Sequence, residues 1–185
     1  GEAEFLSVAE AFARYAGMDL LASLKPRGSD REVLAAQARQ QGVAFVADES
    51  WSDIFSRILV ERVEPKLGQE RPTVLFEYPA VEAALARVSP RDPRIAERFE
   101  LYAAGVELAN GFGELTEPEE QRRRFEADMA LKQKLYGERY PIDETFLAAL
   151  RHMPEASGVA LGLDRLVMLA TGATHIDQVI WTPFR

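Results

Sequence analysis

The chain has 185 residues, 47% of them apolar and 28% charged, and its formal net charge is -8. This balance predicts one folded domain, and the lack of cysteine excludes disulfides, zinc-thiolate sites and cysteine nucleophiles. The acidic balance argues against a nucleic-acid surface built on overall basicity, and we expect a cytoplasmic protein with no signal peptide and no membrane partner.

The first third of the chain is predicted to be helical. The sequence SVAE, starting at Ser7, is a capping box before an apolar run, and no element is expected ahead of it. A second box begins at Ser29 and opens a helix that Gly42 closes. Apolar residues at helical spacing then predict a helix over residues 53–63, which Pro65 ends.

Strands are predicted from residue 73 onward. Branched and aromatic residues over 73–78 favour a strand that stops at Pro79. Segments 94–102 and 106–112 read as two more strands around the turn Ala103-Ala104-Gly105.

The last third returns to helices. A polar helix is expected from a cap at 116–119 to about residue 136, with the run 121–124 as a solvated face. Another helix is expected from Asp143. Residues 158–163 predict a buried strand, followed by a helix that Asp164 caps and Gly172 ends. His152 and His175 lack metal-ligand spacing and are expected to be structural or surface residues.

The predicted hairpin carries two glutamates, Glu100 and Glu107. If Ala103 and Ala104 form a two-residue loop, the two carboxylates lie opposite each other, and a divalent cation between them would remove their repulsion. A three-residue loop including Gly105 would place them on opposite faces. Two exposed glutamates on an edge hairpin remain the alternative.

Two neighbouring motifs are suited to ligand binding. Asn110, Phe112 and Glu114 alternate along one strand, and a carboxylate beside an aromatic ring suits an ammonium ion, although a packed ring with exposed polar neighbours fits equally. The stretch 157–166 combines small residues, against which a ligand can lie, with Arg165 at a helix start, where its charge can bind phosphate.

Together the motifs resemble a known family. FELYAAGVELANGFGEL at 99–115 and GVALGLDRLVML at 158–169 are similar to the C-terminal half of a class II lysyl-tRNA synthetase catalytic domain, the second being motif 3. Residues 85–102 and 153–173 resemble most closely the paralogues that ligate lysine, preferentially (R)-beta-lysine, to elongation factor P. True synthetases typically have glycine at the position of Ala160.

The resemblance implies an α+β fold, the antiparallel sheet of class II synthetases flanked by helices, here in its C-terminal portion. It implies ATP and Mg2+ as cofactors and a lysyl-adenylate as the intermediate. It assigns Mg2+ and ATP binding to Glu100 and Glu107, and an approach of the adenine side of ATP to Gly162. It assigns terminal phosphate binding and catalysis to Arg165. It assigns the lysine pocket to Asn110, Phe112, Glu114 and Ala160, with Glu114 or Glu107 meeting an amino group.

Motif 1, which makes the family's homodimer interface, and motif 2, whose arginine binds the α-phosphate, are not found in the 185 residues. We therefore expect that this chain alone does not catalyse adenylation, and that it associates with itself through an open sheet edge. The leading hypothesis is a ligase acting on elongation factor P. A lysyl-tRNA synthetase that charges tRNA and a non-catalytic binding module are the alternatives.

Overall fold

The structure is a computed structural model that describes residues 1–182. Five strands form one sheet in the order β1-β2-β3-β4-β5. Their bounds are Glu4–Ser7 (β1), Thr73–Pro79 (β2), Ile95–Ala103 (β3), Val106–Gly113 (β4) and Ser157–Leu161 (β5). β1 runs parallel to β2, and the other pairs are antiparallel. The α+β expectation holds, but the sheet is mixed rather than purely antiparallel.

Six α-helices accompany the sheet within residues 1–182. Their bounds are Val8–Ala11 (α1), Arg31–Gln40 (α2), Trp51–Ile58 (α3), Pro118–Tyr136 (α4), Glu144–Leu150 (α5) and Leu163–Thr171 (α6). Turns of π-helix continue α1 over Phe12–Ala16 and α3 over Leu59–Val63. The predicted helix over 53–63 is therefore confirmed, although it begins earlier, behind a cap at Ser50.

The helix caps follow the sequence with one shift. The Ser7 capping box that begins α1 is confirmed, with Ser7 Oγ accepting a hydrogen bond from the backbone amide of Glu10 at 3.2 Å. In α2 the cap is Asp30 rather than Ser29, because the Asp30 carboxylate accepts from the backbone amide of Val33. Each cap satisfies a helix amide that would otherwise lack a partner.

The N-terminal helices build the main hydrophobic core on one face of the sheet. Phe12, Phe55 and Trp51 stack in sequence at ring separations of 5.2 and 5.1 Å. Their cluster reaches the strands through Leu75 of β2 and Tyr102 of β3, which are both buried. The sheet thus has one end packed under helices and the other end, β4 and β5, outside this core.

β1 is an element that the sequence pattern did not predict. It has only four residues, and it pairs with β2 in parallel, so that Leu6 lies beside Leu75. The pairing partner lies far along the chain, and a strand this short has no alternation pattern of its own. The expectation that no element precedes α1 is therefore wrong.

The β3–β4 hairpin turns through Ala104 and Gly105. Both have positive φ, 51° and 75°, as a two-residue hairpin loop with matching twist requires. Ala103 pairs with Val106 at the end of the strands and is not part of the loop. The loop is thus shifted by one residue from the predicted Ala103-Ala104 pair, because glycine takes one of the left-handed positions.

The shifted loop and a bulge change the register of the glutamates. Glu107 lies opposite Tyr102, and after the irregularity Glu100 lies opposite Asn110. The predicted direct pairing of Glu100 with Glu107 is therefore wrong. The two glutamates nevertheless share one face of the sheet, because Tyr102 and Glu100 are two residues apart on β3.

β5 and α6 differ from expectation in two details. β5 is the edge strand of the described sheet and pairs with β4, so the predicted burial is wrong: Val159 and Leu161 are 62% and 52% exposed. Gly162, not Asp164, occupies the position before α6, and no side chain caps that helix. The predicted end of α6 is confirmed at Gly172, whose φ is 71°.

α4 starts at Pro118, but its preceding residue Glu117 makes no side-chain cap bond. The predicted solvated face over 121–124 is only partly correct, since Gln121 is buried. Arg124 is also mostly buried, and it donates to the carbonyl oxygens of Ala84 and Ala86 at 2.9 and 2.8 Å. Asp143 caps α5 as predicted. Both histidines are exposed.

No helix within residues 1–182 is both long and apolar enough to span a membrane.

Candidate active site

Side chains from three adjacent strands converge on one face of the sheet, which we call the site face. Directly paired residues share a face, so the register decides which side chains belong to it. The irregularity between β3 and β4 brings Glu107 and Asn110 to the same side. The members are Arg98, Glu100 and Tyr102 of β3, Glu107, Asn110 and Phe112 of β4, and Gly158 and Ala160 of β5.

The Glu100 carboxylate is enclosed by hydrogen-bond donors. The hydroxyls of Tyr78 and Tyr102 donate to Oε2 at 2.6 and 2.7 Å. Arg98 and Asn110 donate to Oε1 at 2.8 and 3.2 Å. Each carboxylate oxygen accepts about two hydrogen bonds, so this buried group is fully satisfied. Burial, followed by the charge on Glu100, raises the pKa of both tyrosines, which therefore remain donors.

A third carboxylate, Glu64, stands behind this cluster. It is half-buried in the turn after α3, and its Oε1 lies 3.4 Å from the Tyr102 hydroxyl. Burial, followed by the charges of Glu100 and Glu107, raises the pKa of Glu64. No sequence pattern indicated this residue, because it lies outside both motifs and reaches the site through the packing of the segment after α3.

Arg98 links the two ends of the site face. Its guanidinium donates to Glu100 and to the carbonyl oxygen of Glu82 at 2.7 Å. It also lies over the rings of Tyr78 and Phe112, at 4.5 and 5.8 Å from their centroids. Strand alternation alone would have placed Arg98 on the same face as Glu100, so a signal for this residue was present in the sequence.

Glu107 and Arg165 meet although they lie far apart in the sequence. Arg165 Nη1 donates to the carbonyl oxygen and to Oε2 of Glu107 at 2.9 and 3.2 Å. Within residues 1–182 the other guanidinium nitrogens make no hydrogen bond, and both side chains are partly exposed. A carboxylate and a guanidinium with unused donors are thus placed together at the start of α6, where the partial positive charge of the helix also favours anions.

Glu114 presents a carboxylate with no partner among the described residues. It follows β4, its side chain is half-buried, and it points to the same side as Phe112. Its backbone amide donates to the carbonyl oxygen of Ala156 at 3.0 Å, which fixes the main chain. A half-buried anion beside an aromatic ring provides the charge and the surface that an ammonium group requires.

Ala160 and Gly162 lie at the other rim of the site. Ala160 pairs with Asn110 and is exposed, so its methyl group lines the site face. A side chain at Gly162 would meet only ordinary contacts, 3.4 Å to Arg165 Cδ and 3.5 Å to the carbonyl oxygen of Leu108. No contact within residues 1–182 requires glycine at this position.

The oxygen donors of the site suit Mg2+ in part. No group of three or more His, Asp or Glu side chains in the described part of the chain is arranged to hold a metal ion. Glu107 is partly exposed, and Oδ1 of Asn110 is buried without a partner. These are the hard oxygen ligands that Mg2+ accepts alongside phosphate and water. Glu100, in contrast, would have to release a donor before it could bind a metal.

Comparison with known proteins places the sequence in a family. A model described as tRNA synthetases class II (D, K and N) matches residues 6–185. The chain belongs to this family.

Curated relatives within the class II family share one printed name. The chain is 46% identical over 97% of its length to an elongation factor P–(R)-beta-lysine ligase of Proteus mirabilis, and 45% identical over 91% to one of Haemophilus ducreyi. A ligase of the same name from Haemophilus influenzae is 45% identical over 96% of the chain. The chain spans 54%, 50% and 54% of these relatives, about half their length.

Proposed function

We propose that this chain is part of an ATP-dependent ligase that activates lysine or (R)-beta-lysine and transfers it to a lysine side chain of elongation factor P. The observation that carries the proposal is one sheet face with two sets of groups. The Glu107–Arg165 pair suits phosphate, and the unpartnered Glu114 beside Phe112 suits an amine. The names of the relatives agree with (R)-beta-lysine and elongation factor P as the two substrates.

The phosphate side of the site acts through charge. The unused donors of Arg165 would bind a phosphate oxygen of ATP, and Glu107, with Asn110 or Glu100, would hold Mg2+. When bound, Mg2+ neutralises negative charge on the phosphates. Gly162, which the protein itself does not need as glycine, leaves the strand end smooth for the adenine side of ATP.

The amino-acid side acts by orientation. Glu114 would hold an amino group of the substrate against the Phe112 ring, with Asn110 and the Ala160 methyl group as neighbouring walls. The substrate carboxylate then attacks the α-phosphorus of ATP, the bond to the β-phosphate oxygen breaks, and pyrophosphate leaves. An acceptor amine later attacks the carbonyl carbon and AMP leaves. Positioning and charge neutralisation carry these steps, so no histidine base is needed.

The proposal includes a cytoplasmic setting and a homodimer for the full-length gene product. A chain without cysteine suits a reducing compartment. The 185 residues alone are proposed to be inactive in adenylation, because their sequence contains neither motif 1 nor motif 2, whose arginine binds the α-phosphate. Pyrophosphate exchange by the 185-residue chain would overturn that part.

The test is the intact mass of elongation factor P after incubation with the full-length gene product, ATP, Mg2+ and either lysine or (R)-beta-lysine. We expect a gain of one lysyl unit. Charging of tRNA is run beside it: charging without a mass gain would identify a lysyl-tRNA synthetase, and neither product would identify a non-catalytic module. Glu114→Gln should abolish most of the gain, whereas Glu117→Gln, exposed and nearby, should not.

A further inference from the structure

Gly158 has no backbone reason to be glycine. It lies in the middle of a regular β-pairing, opposite Phe112, and its φ is not in the left-handed region. Glycine within a strand lowers stability relative to alanine, because the unfolded chain has more conformational entropy to lose. A strand position that keeps glycine without a turn or a positive φ points to a space requirement on one face of the sheet.

The space above Gly158 is filled by the carboxylate of Glu114. A Cβ atom built at Gly158 would come within 3.0 Å of Glu114 Oε1, closer than real Cβ atoms approach, and 3.6 Å from its Cδ. No other atom within 4 Å would meet that Cβ. The backbone of Glu114 cannot shift easily, because it is hydrogen-bonded to Ala156 and bridged to Ala86. The side chain would have to move instead.

We propose that Gly158 is a specificity-determining residue, because its missing side chain leaves the space in which the Glu114 carboxylate lies to meet a substrate amine. The inference rests on the proposed function, in which Glu114 binds an amino group. Gly158 would then control the preference for substrates with this amine although Gly158 itself does not contact the amine. Alanine at position 158 would move the carboxylate and leave the phosphate side of the site unchanged.

The expected result is selective for the amino acid. The loss of a hydrogen bond to a charged group corresponds to about 10- to 100-fold weaker binding. We therefore expect Gly158→Ala to raise the KM for lysine by about that factor, while the KM for ATP changes by less than about threefold. Two analogues each lack one amine of lysine: 2-aminohexanoate lacks the side-chain amine, and 6-aminohexanoate lacks the α-amine. One of them lacks the amine that Glu114 binds, and the ratio of its inhibition constant to the lysine KM should decrease in Gly158→Ala.

The chain offers a matched control at Gly113. A Cβ there would likewise come within 3.0 Å of a carboxylate oxygen, Oε2 of Glu97, but on the opposite face of the sheet. Glu97 pairs with Arg87, outside the site face. Gly113→Ala is thus the same glycine-to-alanine change with the same type of steric conflict, made in β4, the neighbour of β5. We expect it to leave the lysine preference unchanged.

The experiment measures ATP–pyrophosphate exchange by the full-length gene product with lysine, together with inhibition constants for the two analogues. Wild-type protein that neither exchanges nor binds lysine would refute the proposed function and the inference with it. Active wild-type protein with an unchanged lysine KM in Gly158→Ala would refute the inference alone, as would equal effects of Gly158→Ala and Gly113→Ala on both substrates.

A double-mutant cycle separates steric control of Glu114 from general damage. In a Glu114→Gln background the charge is already lost, so Gly158→Ala should add less than about threefold to the lysine KM. If Gly158→Ala raises the lysine KM by the same factor in the Glu114→Gln background as in the wild type, the inference is refuted. If Gly158→Ala does not fold, Glu114→Asp is added to it, because the shorter side chain withdraws the carboxylate from the alanine methyl group. We expect this double variant to fold but not to recover the preference for lysine. Failure of this double variant to fold would contradict the steric explanation.

Discussion

At the scale of single residues, Arg98 connects the phosphate side of the site with its amino-acid side. It donates to Glu100, stacks on Phe112 and Tyr78, and holds the carbonyl oxygen of Glu82. Its Nε is buried and has no hydrogen-bond partner among residues 1–182, so the remaining contacts of the guanidinium set its orientation. A planar group with fixed donors can make these contacts together, whereas an ammonium group cannot.

We therefore predict that Arg98→Lys lowers kcat/KM for lysine activation by about 10- to 100-fold in the full-length gene product, because Glu100 loses one donor of a buried set. Pyrophosphate exchange measures this effect. Arg94→Lys is the control, since Arg94 pairs with Asp92 outside the site. Equal activity of wild type and Arg98→Lys would show that the cluster around Glu100 is not needed for activation.

Glu64 gives a pH-dependent prediction. Burial, with the charges of Glu100 and Glu107, raises its pKa, so the folded state binds a proton that the unfolded state has released. This contribution to stability is complete below the unfolded-state pKa and is lost as pH rises through the folded-state pKa. Glu64→Gln should therefore raise Tm at pH 8, and the difference should vanish near pH 4.

An effect of about 1 kcal/mol would shift Tm by about 2–4 °C for a chain of this size. Thermal unfolding at several pH values measures it. Glu70→Gln is the matched control, because Glu70 is exposed and outside the cluster. A Tm difference for Glu64→Gln that persists at pH 4, or that matches Glu70→Gln, would contradict the electrostatic origin.

The sequence identified some site residues better than others. Asn110, Phe112 and Glu114 follow strand alternation in one continuous motif, so their common side was predictable. Tyr78 belongs to a different strand and reaches Glu100 only through the register of β2 against β3. Contacts between segments distant in sequence depend on sheet order and packing, which local patterns do not contain.

At the scale of elements, the β3–β4 hairpin decides the geometry of the site. Its loop has Ala104 at a φ of 51°, a conformation that alanine adopts at a cost and that asparagine adopts more readily. Both loop residues with positive φ match the turn for which Asn-Gly is the preferred pair. The loop therefore stores a small strain that one substitution can remove.

We predict that Ala104→Asn raises the free energy of unfolding by about 0.5–1 kcal/mol without moving the register, because it supplies the preferred Asn-Gly loop. Denaturant titration measures the change. The same substitution at Ala148, exposed within α5, should instead lower stability, because asparagine is a poorer helix former than alanine. Destabilisation by Ala104→Asn would mean that the loop conformation is different.

The hairpin also shows why element boundaries were easier to predict than register. Branched and aromatic residues located β2, β3 and β4 almost to the residue, because these strands carry their own pattern. The one-residue shift of the loop and the bulge depend on which residue takes a positive φ and on how the strands twist. β1 escaped prediction for a related reason, since its parallel partner lies far away in the sequence.

At the scale of the molecule, the sheet has one covered face and one open face. The open face carries Phe5, Val159 and Leu161, which are 71%, 62% and 52% exposed. Phe5 and Leu161 lie on the two edge strands, in one row across the sheet that runs through Val74, Leu101 and Ala109. Ala109 is buried in this row, and Val74 and Leu101 are only partly exposed, so the exposed apolar surface is concentrated at the two open edges, where it favours association.

We predict that the 185-residue chain on its own associates reversibly at micromolar concentrations, because association removes this apolar face from water. Sedimentation velocity measures the distribution of species. Phe5→Glu combined with Leu161→Glu should shift it to monomer, whereas Val60→Glu should not, because Val60 is 54% exposed but lies on the helical side. A monomeric wild-type chain at tens of micromolar would contradict the prediction, and equal effects of the two variants would show that association uses another surface.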